Sequence, residues 1–276
     1  MASLTWVEKV PDYEQWRNHD KDNKEYLRKK AIIDPILDKA AHNERLTCAD
    51  YYLLVGCINV STLTGKLEGY SAISSSVLMN ELCRKRGGCG NPNCICTHCY
   101  AAAGVQRYGN TLGQSLELNH RILNGVEIPE EVWSILAIHT TNGDARIEAH
   151  GDTASVTCAV NYNRIMKSHD ALDWGDWSKN LDHYEVAFSR EGKAKNCSFV
   201  ASSPLMNRRM TIAKRYKWFV DHRFTVYDRE YALAHNIHIN CGQYTADLIK
   251  IDQRCKNCTR PCYHLGTEFD IAEIKK

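Results

Sequence analysis

Apolar positions recur along the 276 residues in short groups that switch between a period of two and a period near 3.6. Residues 1–47 are polar and charged with a helical pattern, broken at Pro11 and Pro35, and predict an N-terminal helical extension. Residues 70–74 read as a strand. Residues 101–123 read as one long helix closed by Asn124-Gly125, and 130–139 as a second, closed by Asn142-Gly143. The chain then alternates. Strands are expected at 145–150, 184–188, 198–201, 224–227 and 237–240, with helices at 155–168, 204–218 and 230–235.

Strands alternating with helices predict parallel pairing through right-handed crossovers, hence an α/β sheet or barrel. Polarity favours the barrel. In the strand expected at 145–150, Arg146, Glu148, His150 and Asp152 fall on one face, and Ile147, Ala149 and Gly151 on the other. Likewise His238 and Asn240 oppose Ile237 and Ile239. Strands covered on both sides are apolar on both faces, so polar residues of one parity predict a face turned into a polar lumen. An exposed sheet edge is the alternative. The expected fold is a partial (β/α)6 TIM-like barrel over residues 53–240. It is preceded by a helical extension, 1–52, and followed by a cysteine-rich segment, 241–276. In such barrels the site lies at the C-terminal strand ends.

Bulk composition narrows the function. Hydrophobic residues make up 43% and charged residues 25%, and the net charge is +2, so nothing draws the whole chain to nucleic acid or membrane. No apolar leader opens the sequence and no uncharged run is long enough to span a bilayer. A cytoplasmic location with reduced thiols and no membrane partner is expected. No Walker loop, GxGxxG or HExxH is present, which disfavours nucleotide hydrolysis, NAD chemistry and zincin proteolysis. The run Arg208-Arg209 to Lys214-Arg215-Tyr216-Lys217-Trp218 carries five cations and two aromatics. It suits phosphate or unpaired bases, or simply a solvated surface.

Cysteine changes the picture most. Nine of the 13 cysteines form two clusters: Cys83, Cys89, Cys94, Cys96 and Cys99, then Cys241, Cys255, Cys258 and Cys262. A thiolate-loving metal centre needs three or four sulfurs together, and a reducing cytoplasm weakens the disulfide alternative. In the first cluster Cys96-Thr97-His98-Cys99 supplies a Cys-x-x-Cys pair; the third ligand is Cys83, Cys89 or Cys94, since Pro92 occupies the position three residues before the pair. A tetrahedral zinc knuckle of Cys89, Cys94, Cys96 and Cys99 is the alternative. The second cluster offers four thiolates with no open position, fitting a structural zinc or a fully ligated iron–sulfur cluster.

The strings Lys66–Ser76, Asn80–Cys83 and Ile95–Ala101, with Arg146-Ile147, Gly151-Asp152, Ser178-Lys179-Asn180 and Cys255 to Tyr263, resemble the phage "gene product 88" family over roughly residues 62–265. That family in turn resembles the radical S-adenosylmethionine (SAM) superfamily, in a Cys-x-x-Cys-Tyr loop after a first strand and in Gly151-Asp152 at a later strand end. The resemblance implies that Cys83, Cys96 and Cys99 hold a [4Fe–4S] cluster whose open iron binds SAM, with Cys89 and Cys94 as extras. It implies Gly151 and Asp152 as the SAM contact. Lys179 is placed to reach an anion, and Glu148 and His150 to act as acid–base groups or as a plain interior pair.

The expected function is a radical-SAM-like enzyme that cleaves SAM and abstracts hydrogen from an unknown, small-molecule or nucleotide, substrate. One or two [4Fe–4S] clusters and a reductant such as flavodoxin or ferredoxin are implied, with Cys241, Cys255, Cys258 and Cys262 holding the second. A phage-encoded chain would work in the host cytoplasm. The alternative is a non-catalytic, zinc- or iron–sulfur-stapled phage protein that contacts nucleic acid or a host protein.

Overall fold

The computed structural model describes residues 23–141, 143–241, 261–263 and 269–275. Two helices come first. Helix α1 (Lys24–Ala41) starts at Asn23, whose side chain accepts from the Tyr26 amide at 2.7 Å. Helix α2 (Cys48–Gly56) starts at a capping box in which Thr47 and Asp50 satisfy each other's backbone amides. Pro35 lies inside α1 rather than ending it.

Seven strands then form one sheet in strict sequence order: β1 (Val60–Thr62), β2 (Ser71–Ile73), β3 (Asp144–Ile147), β4 (Asp173–Ser178), β5 (Cys197–Ser202), β6 (His222–Tyr227) and β7 (Phe269–Ile274). Only β1 runs antiparallel to its neighbour; every pair from β2 to β7 is parallel. The β2–β3 connection holds α3 (Glu81–Gly87), the cysteine loop, α4 (Tyr100–Arg107), a π-turn (Gly109–Gly113) and α5 (Gln114–Gly125). Helices α6 (Val156–Ser168) and α7 (Leu181–Glu191) make the next two crossovers, and α8 (Arg229–Ala234) follows β6.

The two sheet faces differ in what covers them. Ile73, Ala145, Ile147, Trp174, Phe199 and Ala201 join the main apolar core with Leu118 and Ile122 of α5, Ile165 of α6 and Phe188 of α7. Ile33 and Ile36 of α1 belong to that same core. The other face carries Ala72 and Trp177, packed with Tyr70 and with Tyr263 from the 3-10 turn Pro261–Tyr263. Arg146 lies on this face, its guanidinium 4.3 Å from the centre of the Trp177 ring. Gly175 is a glycine for space: a β-carbon there would stand 2.4 Å from Trp177 and 2.7 Å from Tyr263. Among the described residues no helix is long and apolar enough to cross a membrane.

Several sequence expectations are corrected. Residues 184–188 belong to α7, because Leu181, Tyr184, Ala187 and Phe188 are buried at helical spacing while Val186 is 40% exposed. Residues 204–218 are not a helix; they hold one 3-10 turn, Lys214–Tyr216. Residues 237–240 form no strand, and the sheet ends instead on β7. The helix expected at 101–123 is interrupted by the π-turn, and 130–139 shortens to a 3-10 turn, Glu130–Ile135. Strand β3 stops at Ile147, and Glu148 turns into the left-handed region at φ 55°. The shared face expected for Arg146, Glu148, His150 and Asp152 therefore holds only for Arg146, since alternation ends with the strand.

Candidate metal centre

In a parallel sheet all C-terminal strand ends lie along one edge, and the cysteine loop is laced to that edge. Asn80 caps α3: its Oδ1 accepts from the amides of Leu82 at 3.0 Å and Cys83 at 3.2 Å. Its Nδ2 donates to the carbonyl of Asp152 at 2.5 Å. Cys83 and Arg86 sit three residues apart on α3 and so share a face. Arg86 donates to Asp152 Oδ2 at 3.2 Å, to the Lys179 carbonyl at 3.5 Å and to the Asn180 side chain. Further along, the Ile95 amide donates to the Pro204 carbonyl at 3.0 Å, and Met206 to Asn93 at 2.7 Å. Helix α4 begins directly after Cys99, and the Tyr100 hydroxyl donates to the Ala149 carbonyl. One loop after β2 thus reaches the ends of β3, β4 and β5.

These ties gather the sulfurs. Cys83, Cys96 and Cys99 lie within electrostatic reach of one another. The Cys94 thiol donates to the Arg86 carbonyl at 3.6 Å, and Cys96, ahead of burial, raises its pKa. Cys94 in turn lowers the Cys96 pKa against the effect of burial, with Lys179 helping. Burial, reinforced by Asp152 and Cys99, pushes the Cys83 thiol well up. Among the described residues no three histidine, cysteine, aspartate or glutamate side chains form a ready cage for a single ion. A cubane cluster sets different demands, since each thiolate binds a separate iron.

Asp152 holds the arrangement together. Only 2% of its side chain is exposed. It accepts from Ser178 Oγ at 2.6 Å, from the Thr153 amide at 3.0 Å, from the Lys179 amide at 3.1 and 3.3 Å, and from Arg86. This set of donors gives the carboxylate a joining role between α3 and the end of β4. Gly151 beside it is at φ 139°, and a β-carbon there would meet Glu148 Oε2 at 2.8 Å and the Ser75 carbonyl at 3.0 Å. No side chain fits. Lys179 begins the loop after β4. Burial works against its charge, and Cys96, Asp152 and Cys83 together outweigh that and raise its pKa. No carboxylate stands within ion-pair distance of its ammonium among the described residues.

Glu148 and His150 part company. Glu148 is buried and accepts from Ser75 Oγ at 2.6 Å, the Ser75 amide at 3.0 Å and Tyr162 OH at 2.7 Å. Burial raises it to about 7. Asp176, also buried toward the helices and with neither carboxylate oxygen hydrogen-bonded, is raised to about 8, chiefly by burial. His150 stays half-buried near the cysteine loop, its ring centre 6.0 Å from that of Tyr100. Burial and then Arg146 lower its pKa, which favours the neutral ring.

Sequence reasoning missed Arg86, Asn80, Ser178, Ser75 and Asp176. Two of these had a signal: Asn80 stands in an N-cap position and Arg86 one helical turn after Cys83. In the second cluster, Cys241 bridges Glu273 of β7, and the Cys262 carbonyl accepts from Ser198 Oγ at 2.9 Å. Cys255 and Cys258 lie outside the described residues. The basic run is pinned at two points, Arg209 by Asp270 and Arg215 by Asp182. No family model matches the chain, and no curated protein or solved structure is significantly similar to it.

Proposed function

We propose that the chain is an iron–sulfur, radical-SAM-like enzyme built on a partial (β/α)6 barrel, with Cys83, Cys96 and Cys99 as ligands of a [4Fe–4S] cluster. The observation that carries this is the convergence of those three cysteines on the C-terminal edge of a sequentially ordered parallel sheet. Strand order supports the barrel: right-handed crossovers that always advance in one direction put every helix on one face, which leaves the other concave. The donor chemistry fits. Buried thiols resist ionisation in an apolar setting, and iron supplies the charge that makes thiolates of them. A mixed set with Lys179 and Arg86 close by suits an anionic assembly.

When bound and reduced, such a cluster supplies the electron that cleaves SAM and leads to hydrogen abstraction from substrate. The chain's own residues do the positioning. Arg86 and Asp152 lock α3, and with it Cys83, to the end of β4. Asn80 fixes the start of α3 against β3. His150 and Tyr100 stand beside the loop as polar groups. Gly151 keeps the chain close to Ser75 where a side chain would force it away. The second cysteine set is read as an auxiliary cluster, and flavodoxin or ferredoxin as the electron donor. The test is anaerobic: iron-loaded protein with dithionite and SAM should release 5′-deoxyadenosine and methionine, and Cys96→Ser should not. Iron-loaded wild type that leaves SAM intact overturns the enzyme.

A second reading rests on Cys94, whose ionisation is influenced by both Cys96 and Cys89 in the same loop. Such close sulfurs suit a zinc knuckle in a non-catalytic binding protein. Stoichiometric zinc with no sulfide would favour it.

A further inference from the structure

Charge is distributed unevenly along a chain whose net charge is only +2. Residues 82–116 and 192–220 contain no Asp or Glu, and together they carry 11 of the Lys and Arg residues, which leaves the rest of the chain at −9. The fold joins these two stretches. Cys94 and Leu205 form an antiparallel bridge, the Ile95 amide donates to the Pro204 carbonyl at 3.0 Å, and the Met206 amide donates to the Asn93 carbonyl at 2.7 Å. Arg86 of α3 reaches the Asn180 side chain, and two residues on, Asp182 of α7 accepts from Arg215 at 2.6 Å and from Tyr216 at 2.7 Å. The segments that carry Arg84 and Lys85, Arg208, and Lys214 and Lys217 therefore meet around the cysteine loop and the start of α7. All five of these side chains are exposed. None has a carboxylate within ion-pair distance among the described residues, whereas Asp270 and Asp182 are occupied by Arg209 and Arg215, with Glu185 a weaker influence on Arg215.

Like charges gathered on one side repel one another, and a polyanion laid across them relieves that repulsion and releases its counterions. Trp218 adds a second feature. Its ring meets Phe188 at 6.5 Å and Phe219 at 5.3 Å, both edge-on, and 53% of the residue stays exposed next to Lys217. An indole held in this way offers a stacking face to an unpaired base, whose own face a duplex would keep covered. Residues 204–218 hold only a 3-10 turn, so they present no recognition helix to a major groove. We propose that this basic surface binds single-stranded nucleic acid, with the cations on its phosphates and Trp218 stacked on a base. The inference stands apart from the iron–sulfur reading, since it does not depend on what the cysteines hold.

The experiment uses the full chain as purified and follows the fluorescence anisotropy of one labelled sequence, as single-stranded DNA, single-stranded RNA and duplex DNA, through a salt series. Wild type is compared with Trp218→Ala and with a triple variant, Arg208→Glu, Lys214→Glu and Lys217→Glu, whose exposed positions leave the fold intact; circular dichroism checks each. Single strands should bind more tightly than duplex. The logarithm of affinity should fall against the logarithm of salt with a slope of about −3.5, as five phosphate contacts on a single strand require. The triple variant should bind at least about tenfold more weakly at low salt and flatten that slope by about 2. Trp218→Ala should weaken binding about tenfold and leave the slope unchanged. Absence of binding at low salt, or a triple variant that binds like wild type, overturns the surface. Equal affinity for duplex with Trp218→Ala unaffected overturns the single-stranded assignment, as does binding to vesicles of anionic lipid without binding to either oligonucleotide strand.

Discussion

Two carboxylates four residues apart, Glu148 and Asp152, stand at the end of one strand and live in opposite environments. Asp152 lies on the edge that carries the cysteine loop, and its oxygens are saturated by Ser178, Thr153, Lys179 and Arg86. Glu148 lies beneath, between sheet and helices, with neutral hydroxyls and one amide for company and no cation in contact. The rim is organised by fixed charge and the layer below by burial. A rim of that kind holds an ionic group in place. A buried acid raised to about 7 instead couples the fold to pH.

The comparison can be broken most forcefully at Asp152. Replacing it by alanine leaves Arg86 without its ionic partner and the Thr153 and Lys179 amides without their acceptor, and breaking a buried ion pair of this kind costs about 3–5 kcal/mol. Urea unfolding should show that loss, and the cysteine loop should lose protection from hydrogen exchange first. A variant that keeps wild-type stability would mean that the rim is held by something other than this carboxylate.

The lower layer answers to pH. Glu148 has its folded pKa raised from 4.5 to about 7, and Asp176 from 3.8 to about 8. The native state thus keeps protons that the unfolded chain has released, and stability is lost as pH rises through those values. Unfolding free energy should fall by several kcal/mol between pH 5 and pH 8, at about 1.4 kcal/mol per pH unit for each group, and level off above that. Glu148→Gln should flatten part of that slope, whereas an unchanged slope would show that Glu148 does not titrate there.

Smaller effects sharpen the same contrast. Gly151→Ala forces a β-carbon against Glu148 and the Ser75 carbonyl at a φ that side chains avoid, so a loss of about 1–3 kcal/mol is expected by denaturation. Asn80→Ala removes the cap of α3 and should cost about 1 kcal/mol, together with slower metal uptake by the loop. An Asn80→Asp variant that restores both would confirm capping as the cause.

Much of this was legible from spacing. The strand before the cysteine loop, helix α6, and strands β5 and β6 were readable, because each pairs a clear period with a turn residue at its end. The missed elements share a physical cause. In α7, Tyr184, Val186 and Phe188 alternate like a strand, yet burial follows Leu181, Tyr184, Ala187 and Phe188. Strand β4 reads Asp-Trp-Gly-Asp-Trp-Ser, poor in β-formers, and forms because both its faces are covered: Trp174 by the main core, Trp177 by Tyr263. At the site, the cysteines and Asp152 were visible as residues. Their joining through Arg86 was not, since the contact spans 66 residues and depends on which strand ends meet.

The most direct test of the central claim is iron and acid-labile sulfide per chain after purification without oxygen, for wild type and for Cys83→Ser, Cys96→Ser and Cys99→Ser. The account expects each substitution to remove about four irons with matching sulfide, while the same change at buried Cys158, on the helix side, removes none. Wild type with zinc and no sulfide, or three variants that retain all their iron, would contradict it.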